Sequence, residues 1–195
     1  MKKLTIALLL FALSAFTSWA GDFQKGVSAY KSGDYTTAFK EFAALAEQGY
    51  ANAQSNLGVM YENGQGVPQD YKQAVKWYTK AAAQGYGEAQ SNLALMYDKG
   101  QGVPQDHKQA VKWYTKAAAQ GYAKAQSNLA IMYANGQGVP QDNVYAHMWS
   151  NLAAVDGGEN ASKIRDIIAK RMTTADISKA QSLARECLKK NYKGC

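Results

Sequence analysis

The sequence predicts an all-α protein, an α-solenoid built from stacked antiparallel helix pairs. Residues 51–86 recur almost unchanged as residues 87–122, with seven differences between the two copies, and a third copy begins at Ala123. Within each copy, two runs of apolar residues at helical spacing flank a segment that contains glycine and proline. A fixed period of this length is typical of repeats that stack and bury their apolar faces on one another.

Each repeat is predicted to be a helical hairpin. In the first copy, Leu57 and Met60 share one face of a helix that begins near Ala51. Gly64 and Gly66 end that helix, and Pro68 stiffens the connector that follows. Asp70 then suits the N-cap of the second helix, with a glutamine three residues later as in a capping box. Among the bulky residues of the second helices, Trp113 is expected to lie buried between neighbouring repeats.

The repeats are predicted at 51–86, 87–122 and 123–158, between two different caps. Residues 21–50 are predicted to form a degenerate N-terminal repeat, in which Glu41 takes the position that Trp77 has in the next copy. A polar residue suits a terminal repeat, because its outer face meets solvent. Residues 159–195 are predicted to form a basic capping helix pair whose inward side chains include Ile164, Ile167, Ile168, Met172, Ile177, Ala180, Leu183, Ala184, Cys187 and Leu188.

The first twenty residues are predicted to be a signal peptide. Lys2 and Lys3 precede an apolar run, and Ser18-Trp19-Ala20 has the small residues of a cleavage site. Cleavage after Ala20 is expected to leave a periplasmic or secreted protein with no membrane span. An uncleaved anchor is the alternative.

Two cysteines, Cys187 and Cys195, lie close together near the end of the chain, and in an exported protein they are expected to form a disulfide. A zinc site needs more ligands than two thiols, so no metal is expected. His107 and His147 have no obvious serine, cysteine or carboxylate partner in the sequence. We therefore predict no catalytic residue and no cofactor.

Positive charge is concentrated in the C-terminal cap. Residues 21–159 hold eleven basic and twelve acidic side chains, whereas residues 160–195 hold nine basic and three acidic ones. This charge suits an anionic component of the cell envelope or an acidic partner. The alternative is a solvated outer face of the cap. Nucleic acid is not expected as a partner, because no aromatic residues alternate with the basic ones there.

The repeated block, A-x-A-Q-x-x-L-[GA]-x-M-Y-x-x-G-x-G-V-P-Q-D, continues as x-x-x-A-x-x-W-x-x-x-A-A-x-Q-G-Y and resembles the Sel1-like repeat family. That family is a relative of the tetratricopeptide repeat, and the resemblance covers residues 51–157. It implies a right-handed superhelix and a scaffold or adaptor that binds a protein or peptide. Together with the predicted signal peptide, this leads us to expect a monomer that works in the bacterial cell envelope. Some cysteine-rich relatives are described as penicillin-binding or weakly β-lactam-hydrolysing, but they carry a cysteine pair in each repeat, which this chain lacks. A β-lactam- or peptidoglycan-related enzyme and a structural or stress-related accessory are the alternatives.

In tetratricopeptide-like solenoids the first helices line a concave groove, so the resemblance implies that the partner binds there. Asparagine offers both a donor and an acceptor to the backbone of an extended peptide. The alternative is that the asparagines bond the backbone between repeats. Charge varies at positions 52, 88 and 124, which are therefore candidates for specificity. The predicted groove residues are Asn52, Asn56, Val59, Glu88, Asn92, Leu95, Lys124, Asn128 and Ile131.

Overall fold

The computed structural model of the protein describes residues 21–155 and 159–195. The predicted signal peptide and the Gly157-Gly158 step fall outside these ranges. The described residues form a helical repeat fold, as predicted, and they divide into a unit that ends at Ala81 and a second unit, Ala82–Cys195. The helices are α1 Phe23–Ser32, α2 Tyr35–Glu47, α3 Ala51–Asn63, α4 Tyr71–Ala83, α5 Gly87–Lys99, α6 His107–Ala118, α7 Ala123–Asn135, α8 Asn143–Ala154, α9 Glu159–Ala169 and α10 Thr174–Lys189.

Polar side chains cap the starts of several helices, including the predicted Asp70. The carboxylate of Asp106 accepts a hydrogen bond from the backbone N–H of Gln109 at the start of α6. Asp70 accepts from the equivalent amide of Gln73, and Thr173 forms a complete capping box with Asp176 at the start of α10. Each of these bonds satisfies an amide that has no partner within its helix.

The connector inside each repeat is closed by a glutamine. The side-chain amide that follows the proline donates to a carbonyl near the end of the first helix, at 2.7 Å in all three copies. These pairs are Gln69 with Glu62, Gln105 with Asp98, and Gln141 with Ala134. Each connector is therefore fixed to its own first helix, and the start of the second helix is placed by it.

The core of the first unit joins α1, α2 and α3. Phe42, Leu57 and Met60 are buried there, and the ring of Phe23 lies 5.6 Å from that of Phe42. Glu41 is the exception to the expectation of a solvent-facing cap residue. It is buried on α2, where it accepts hydrogen bonds from the backbone N–H of Asp22 and from the ammonium of Lys25.

Glu41 therefore attaches the start of α1 to α2. The Lys25 ammonium, followed by the Asp22 amide, holds the pKa of this carboxyl below its usual value. A carboxylate can be buried only when its oxygens have hydrogen-bond donors. Glu41 can occupy the position that Trp77 has in the next repeat because both of its carboxylate oxygens accept hydrogen bonds.

The core of the second unit continues from α5 through α8. Tyr114, Leu129, Trp149 and Leu152 are buried in one cluster. Trp113 is only half-buried at its edge, and the Lys116 ammonium lies 4.5 Å from the centre of its ring. Trp113 therefore packs against the cluster that the neighbouring repeats share, but it is less buried than expected.

The equivalent Trp149 is 1% exposed, and both α9 and α10 pack against its helix, α8. The two helices cover different parts of α8. Ala180, Ala184 and Cys187 of α10 join the cluster of Trp149, whereas Ile168 of α9 is buried with Ala134 and Ala146.

Two of the residues predicted to face inward are instead at the surface, since Ile167 is 54% exposed and Leu188 is 36% exposed. On α9 and on α10, the buried face is therefore narrower than the distribution of apolar residues around the helix suggests. The predicted disulfide is present and joins Cys187 to Cys195, whose Cα atoms are 5.6 Å apart.

Candidate functional site

In the second unit, the predicted groove residues lie on the outward side of α5 and α7. Glu88 and Lys124 are exposed, and Ile131 is 36% exposed. Asn92, Asn128 and Leu95 are half-buried between these residues and the core. We call these six residues the first-helix face. Its surface is aliphatic and amide in character, with one charge of each sign.

Asn128 is held in place by a buried tyrosine. Its side-chain N–H donates to the hydroxyl of Tyr114 at 3.1 Å. Burial and the nearby Asp98 carboxylate raise the pKa of Tyr114, so the hydroxyl stays protonated. This bond uses one donor of the amide, and an amide also has a second donor and an acceptor oxygen for another partner.

In the first unit, the corresponding residues on α3 are engaged locally. The side-chain N–H of Asn56 donates to the carbonyl of Asn52 at 2.9 Å. The side-chain oxygen of Asn52 accepts from the backbone N–H of Ala53 at 2.8 Å. Val59 is half-buried. The repeated asparagines are therefore held by two kinds of hydrogen bond: Asn56 bonds within its own helix, whereas Asn128 bonds to Tyr114 on the neighbouring helix.

The repeated glutamines are structural residues, a role that the sequence did not reveal. Gln54, Gln90 and Gln126 are buried. Their side-chain N–H groups donate to carbonyls at the ends of the preceding second helices, those of Ala46, Ala82 and Ala118, at 3.1–3.2 Å. Each of these carbonyls also accepts the backbone N–H of the glycine three residues later, so the glutamine adds a second hydrogen bond at the helix end. The 36-residue spacing of these glutamines and the Gln-Gly turn that precedes each of them were the signals in the sequence.

Two of the first helices, α3 and α5, carry a carboxylate near their ends, and it takes a different partner in each. Glu62 accepts a hydrogen bond from the hydroxyl of Tyr78 at 2.6 Å. The carboxylate of Asp98 lies 3.0 Å from Nδ1 of His107. The prediction that His107 has no carboxylate partner is wrong. The pair fixes the first turn of α6 to the end of α5, and catalysis would also require a nucleophile or a substrate proton within reach.

His147 is buried in α8. Burial, with a contribution from the positive charge of Arg165, lowers the pKa of its imidazole. The side-chain amide of Asn151, one turn later, lies 3.4 Å from Nδ1. This histidine is therefore a neutral packing residue of the covered α8 at neutral pH.

Among the residues that the structure describes, no group of three His, Cys, Asp or Glu side chains is placed to hold a metal ion. None of the helices in the same residues is long and apolar enough to cross a bilayer.

The family model described as "Sel1 repeat" matches residues 51–86, 87–122 and 123–154, just over half of the chain. The matched segments coincide with the three helix pairs α3–α4, α5–α6 and α7–α8. Among curated proteins, the chain is similar to DAP3-binding cell death enhancer 1 of Rattus norvegicus, with 47% identity over 45 residues. That match covers 23% of this chain and 9% of the rat protein, and the Mus musculus protein matches to the same extent.

Two solved structures are similar over most of the chain. One is c5321, a protective antigen of uropathogenic Escherichia coli strains displaying an SLR fold, with a TM-score of 0.74 and 34% identity. It is matched over 80% of this chain and 34% of its own length. The other is a Sel1 repeat protein from Oxalobacter formigenes, with a TM-score of 0.72 and 32% identity, covering 83% of this chain and 67% of that one.

Proposed function

The chain belongs to the Sel1 repeat family, and from this we propose that it is a non-enzymatic adaptor that holds a protein or peptide partner on its first-helix face. Sel1 repeat proteins mediate protein–protein interactions and are typically non-catalytic scaffolds. Fold alone does not locate a binding site. The proposal therefore depends on what the described residues present.

One observation carries the choice of the first-helix face. On α7, Leu129, Ala130 and Met132 are buried, while Ile131 between them stays exposed. An exposed aliphatic side chain beside a positioned amide and a charged residue offers three kinds of contact to a peptide. Ile131 can pack against an apolar side chain of the bound peptide, and the Asn128 side chain can hydrogen-bond to the peptide's backbone. Lys124 favours an acidic side chain of the peptide close to it.

We propose that the protein works as a monomer in the periplasm or after secretion. Two features support this location. The disulfide between Cys187 and Cys195 is typical of an oxidising compartment, and the first twenty residues have the composition of a signal peptide.

The proposal is tested by capture of partners from the compartment where the protein resides, with wild type and two surface variants. We expect Lys124→Glu to alter the partners captured and to change the salt dependence of capture, because exposed charges tune specificity and association rate. We expect Ile131→Asp to weaken capture about tenfold, since burial of one aliphatic side chain contributes about 1.5–3 kcal/mol.

The matched control is Lys112→Glu, the charge reversal of another exposed lysine, which lies on the second helix α6. Circular dichroism melts should show that all three variants remain folded, because the altered side chains are at the surface. If Lys124→Glu and Ile131→Asp capture the same proteins as wild type with unchanged affinity, the first-helix face is not the binding site. Purified protein is also expected to leave β-lactams unhydrolysed, and turnover would favour the enzymatic alternative.

A further inference from the structure

Residues 190–195, which we call the tail, follow α10 and are held to the second unit at three points. The disulfide joins Cys195 to Cys187 of α10. The backbone N–H of Tyr192 donates to the carbonyl of Cys187 at 2.9 Å. The side chains of Tyr192 and Cys195 pack against the core cluster that also contains Met148 and Cys187. The tail therefore covers part of that cluster.

Tyr192 also reaches the turn between α6 and α7. A Cβ added at Gly121 would lie 3.1 Å from Cε2 of the Tyr192 ring, which is tighter than an ordinary van der Waals contact. Gly121 immediately precedes Tyr122, the N-cap residue of α7. The ring of Tyr192 therefore packs on the turn that places the start of α7, and the tail supports this turn as well as the core.

The backbone of the tail is strained. Asn191 and Tyr192 both have left-handed backbones, with φ of 48° and 62°. Asparagine tolerates this conformation at the end of a helix, but it is rare for a bulky side chain such as that of Tyr192. A strained backbone persists only where the surrounding structure holds it. Here the disulfide, the amide hydrogen bond and the packed ring hold it.

The disulfide acts on the tail more than on the whole unit. Its two cysteines are eight residues apart in the sequence, and the stabilisation that a disulfide provides falls as the loop it closes becomes shorter. The helix α10 is attached to the unit independently, because Ala180 and Ala184 are buried in the core cluster. Loss of the bond should therefore leave the helices folded and free the tail.

The two cysteines are unequally accessible. Cys187 is 3% exposed. Cys195 is half-buried, and Lys193 and Gly194 before it are exposed. Because the rate of thiol–disulfide exchange depends on which sulfur can be reached, an external thiol should react at Cys195.

We propose that the disulfide between Cys187 and Cys195 is a redox-controlled latch on the tail, which a dithiol reductant opens by attacking Sγ of Cys195. One thiolate of the reductant bonds to this sulfur as the bond to Cys187 breaks, and Cys187 leaves as a thiolate that takes up a proton. The second thiol of the reductant then attacks the mixed disulfide and releases Cys195 as a thiol. Two electrons pass to the protein, and the reductant ends as a disulfide.

Opening the latch changes the surface of the second unit. Once the bond is broken, the left-handed backbone of Tyr192 favours release, because an ordinary conformation is lower in energy. Departure of Tyr192 and Cys195 uncovers part of the core cluster and removes the ring from the turn at Gly121. Reoxidation returns the tail to its docked position. This latch does not depend on the first-helix face.

Hydrogen–deuterium exchange tests the latch in the full-length mature protein, oxidised and after treatment with dithiothreitol in the absence of denaturant. We expect the amide of Tyr192 to exchange about tenfold faster or more in the reduced protein, because its hydrogen bond to Cys187 opens. Amides in residues 120–123 should also exchange faster. The amides of α8 and α9 should keep their protection.

Trapping identifies the sulfur that is attacked. A thioredoxin whose second cysteine is replaced by serine cannot resolve the mixed disulfide, so the adduct accumulates. After an acid quench, mass spectrometry should place the adduct on Cys195. An adduct on Cys187 would overturn the proposed route of opening.

Two variants separate the bond from the packed ring. Cys195→Ser should reproduce the exchange of the reduced protein. Oxidised Tyr192→Ala should exchange faster in residues 120–123, while the amide at position 192 stays protected by the intact disulfide. Unchanged exchange of the Tyr192 amide after reduction would show that the tail stays docked without the bond. Faster exchange throughout α8, α9 and α10 would show that the disulfide holds the fold, and either result would overturn the latch.

Discussion

Replacement of Trp149 by alanine is expected to lower the free energy of unfolding by about 3–5 kcal/mol, the usual cost of emptying a large buried site. Trp149 is 1% exposed and lies in one cluster with Tyr114, Leu129 and Leu152. Because α8 is covered by both α9 and α10, the surrounding side chains have little freedom to collapse into the space. Urea denaturation followed by circular dichroism measures the change.

Trp113→Ala is the matched control, since Trp113 occupies the same position in the preceding repeat. Its ring is half-buried, with Lys116 above it, so its removal should cost about 1–2 kcal/mol, mainly lost packing and a cation–π contact. Equal losses in the two variants would contradict the different burial of the two tryptophans.

Gly138→Ala is expected to lower the free energy of unfolding by about 2–5 kcal/mol. Gly138 has φ of 73°, a left-handed conformation that costs a residue with a Cβ about 1–2 kcal/mol. An added Cβ would also lie 2.3 Å from the backbone carbonyl oxygen of His107 at the start of α6. Backbone atoms cannot rotate away as a side chain can, so the connector or the helix must shift, at a further cost of about 1–3 kcal/mol.

Gly136→Ala provides the control two residues earlier. Its φ of 67° is similar, but the nearest atom to an added Cβ is that of Gln141 at 3.4 Å, an ordinary contact. This variant should therefore show only the conformational cost, about 1–2 kcal/mol. If thermal and urea denaturation gave the two alanine variants the same stability, the close approach of the connector to α6 would not exist in solution.

The period of the repeat made most of the helical architecture predictable. Asp106 and Thr173 identify helix starts because their side chains cap amides locally, and such bonds depend only on neighbouring residues. The disulfide between Cys187 and Cys195 was predictable for a similar reason, since two cysteines close in sequence have few alternatives.

Burial was less predictable because it depends on neighbours that are distant in sequence. Trp113 and Trp149 occupy equivalent positions, yet Trp113 is half-buried whereas Trp149 is 1% exposed in a cluster that residues of α10 join. Ile167 looks like a core residue by composition, yet the covered stripe of α9 passes through Ile168. Glu41 looks like a surface residue, yet Lys25 and the Asp22 amide satisfy it in a buried position.

The candidate site was partly predictable. The spacing of the repeats placed Glu88, Lys124 and Ile131 at the surface of their helices, and they are exposed there. It did not show that Asn128 bonds the buried hydroxyl of Tyr114, or that Asn56 bonds within its own helix. These bonds depend on rotamers, which a sequence pattern does not specify.

The proposed binding face is tested most directly by site-specific photo-crosslinking in cells. A benzophenone amino acid is placed at Ile131 on the first helix α7, or at Lys112 on the second helix α6, and covalent adducts are identified by mass spectrometry. Both positions are exposed, so the substitutions should leave the fold intact. We expect a defined protein adduct from position 131 and none from position 112. A defined adduct from position 112 with none from position 131 would contradict it.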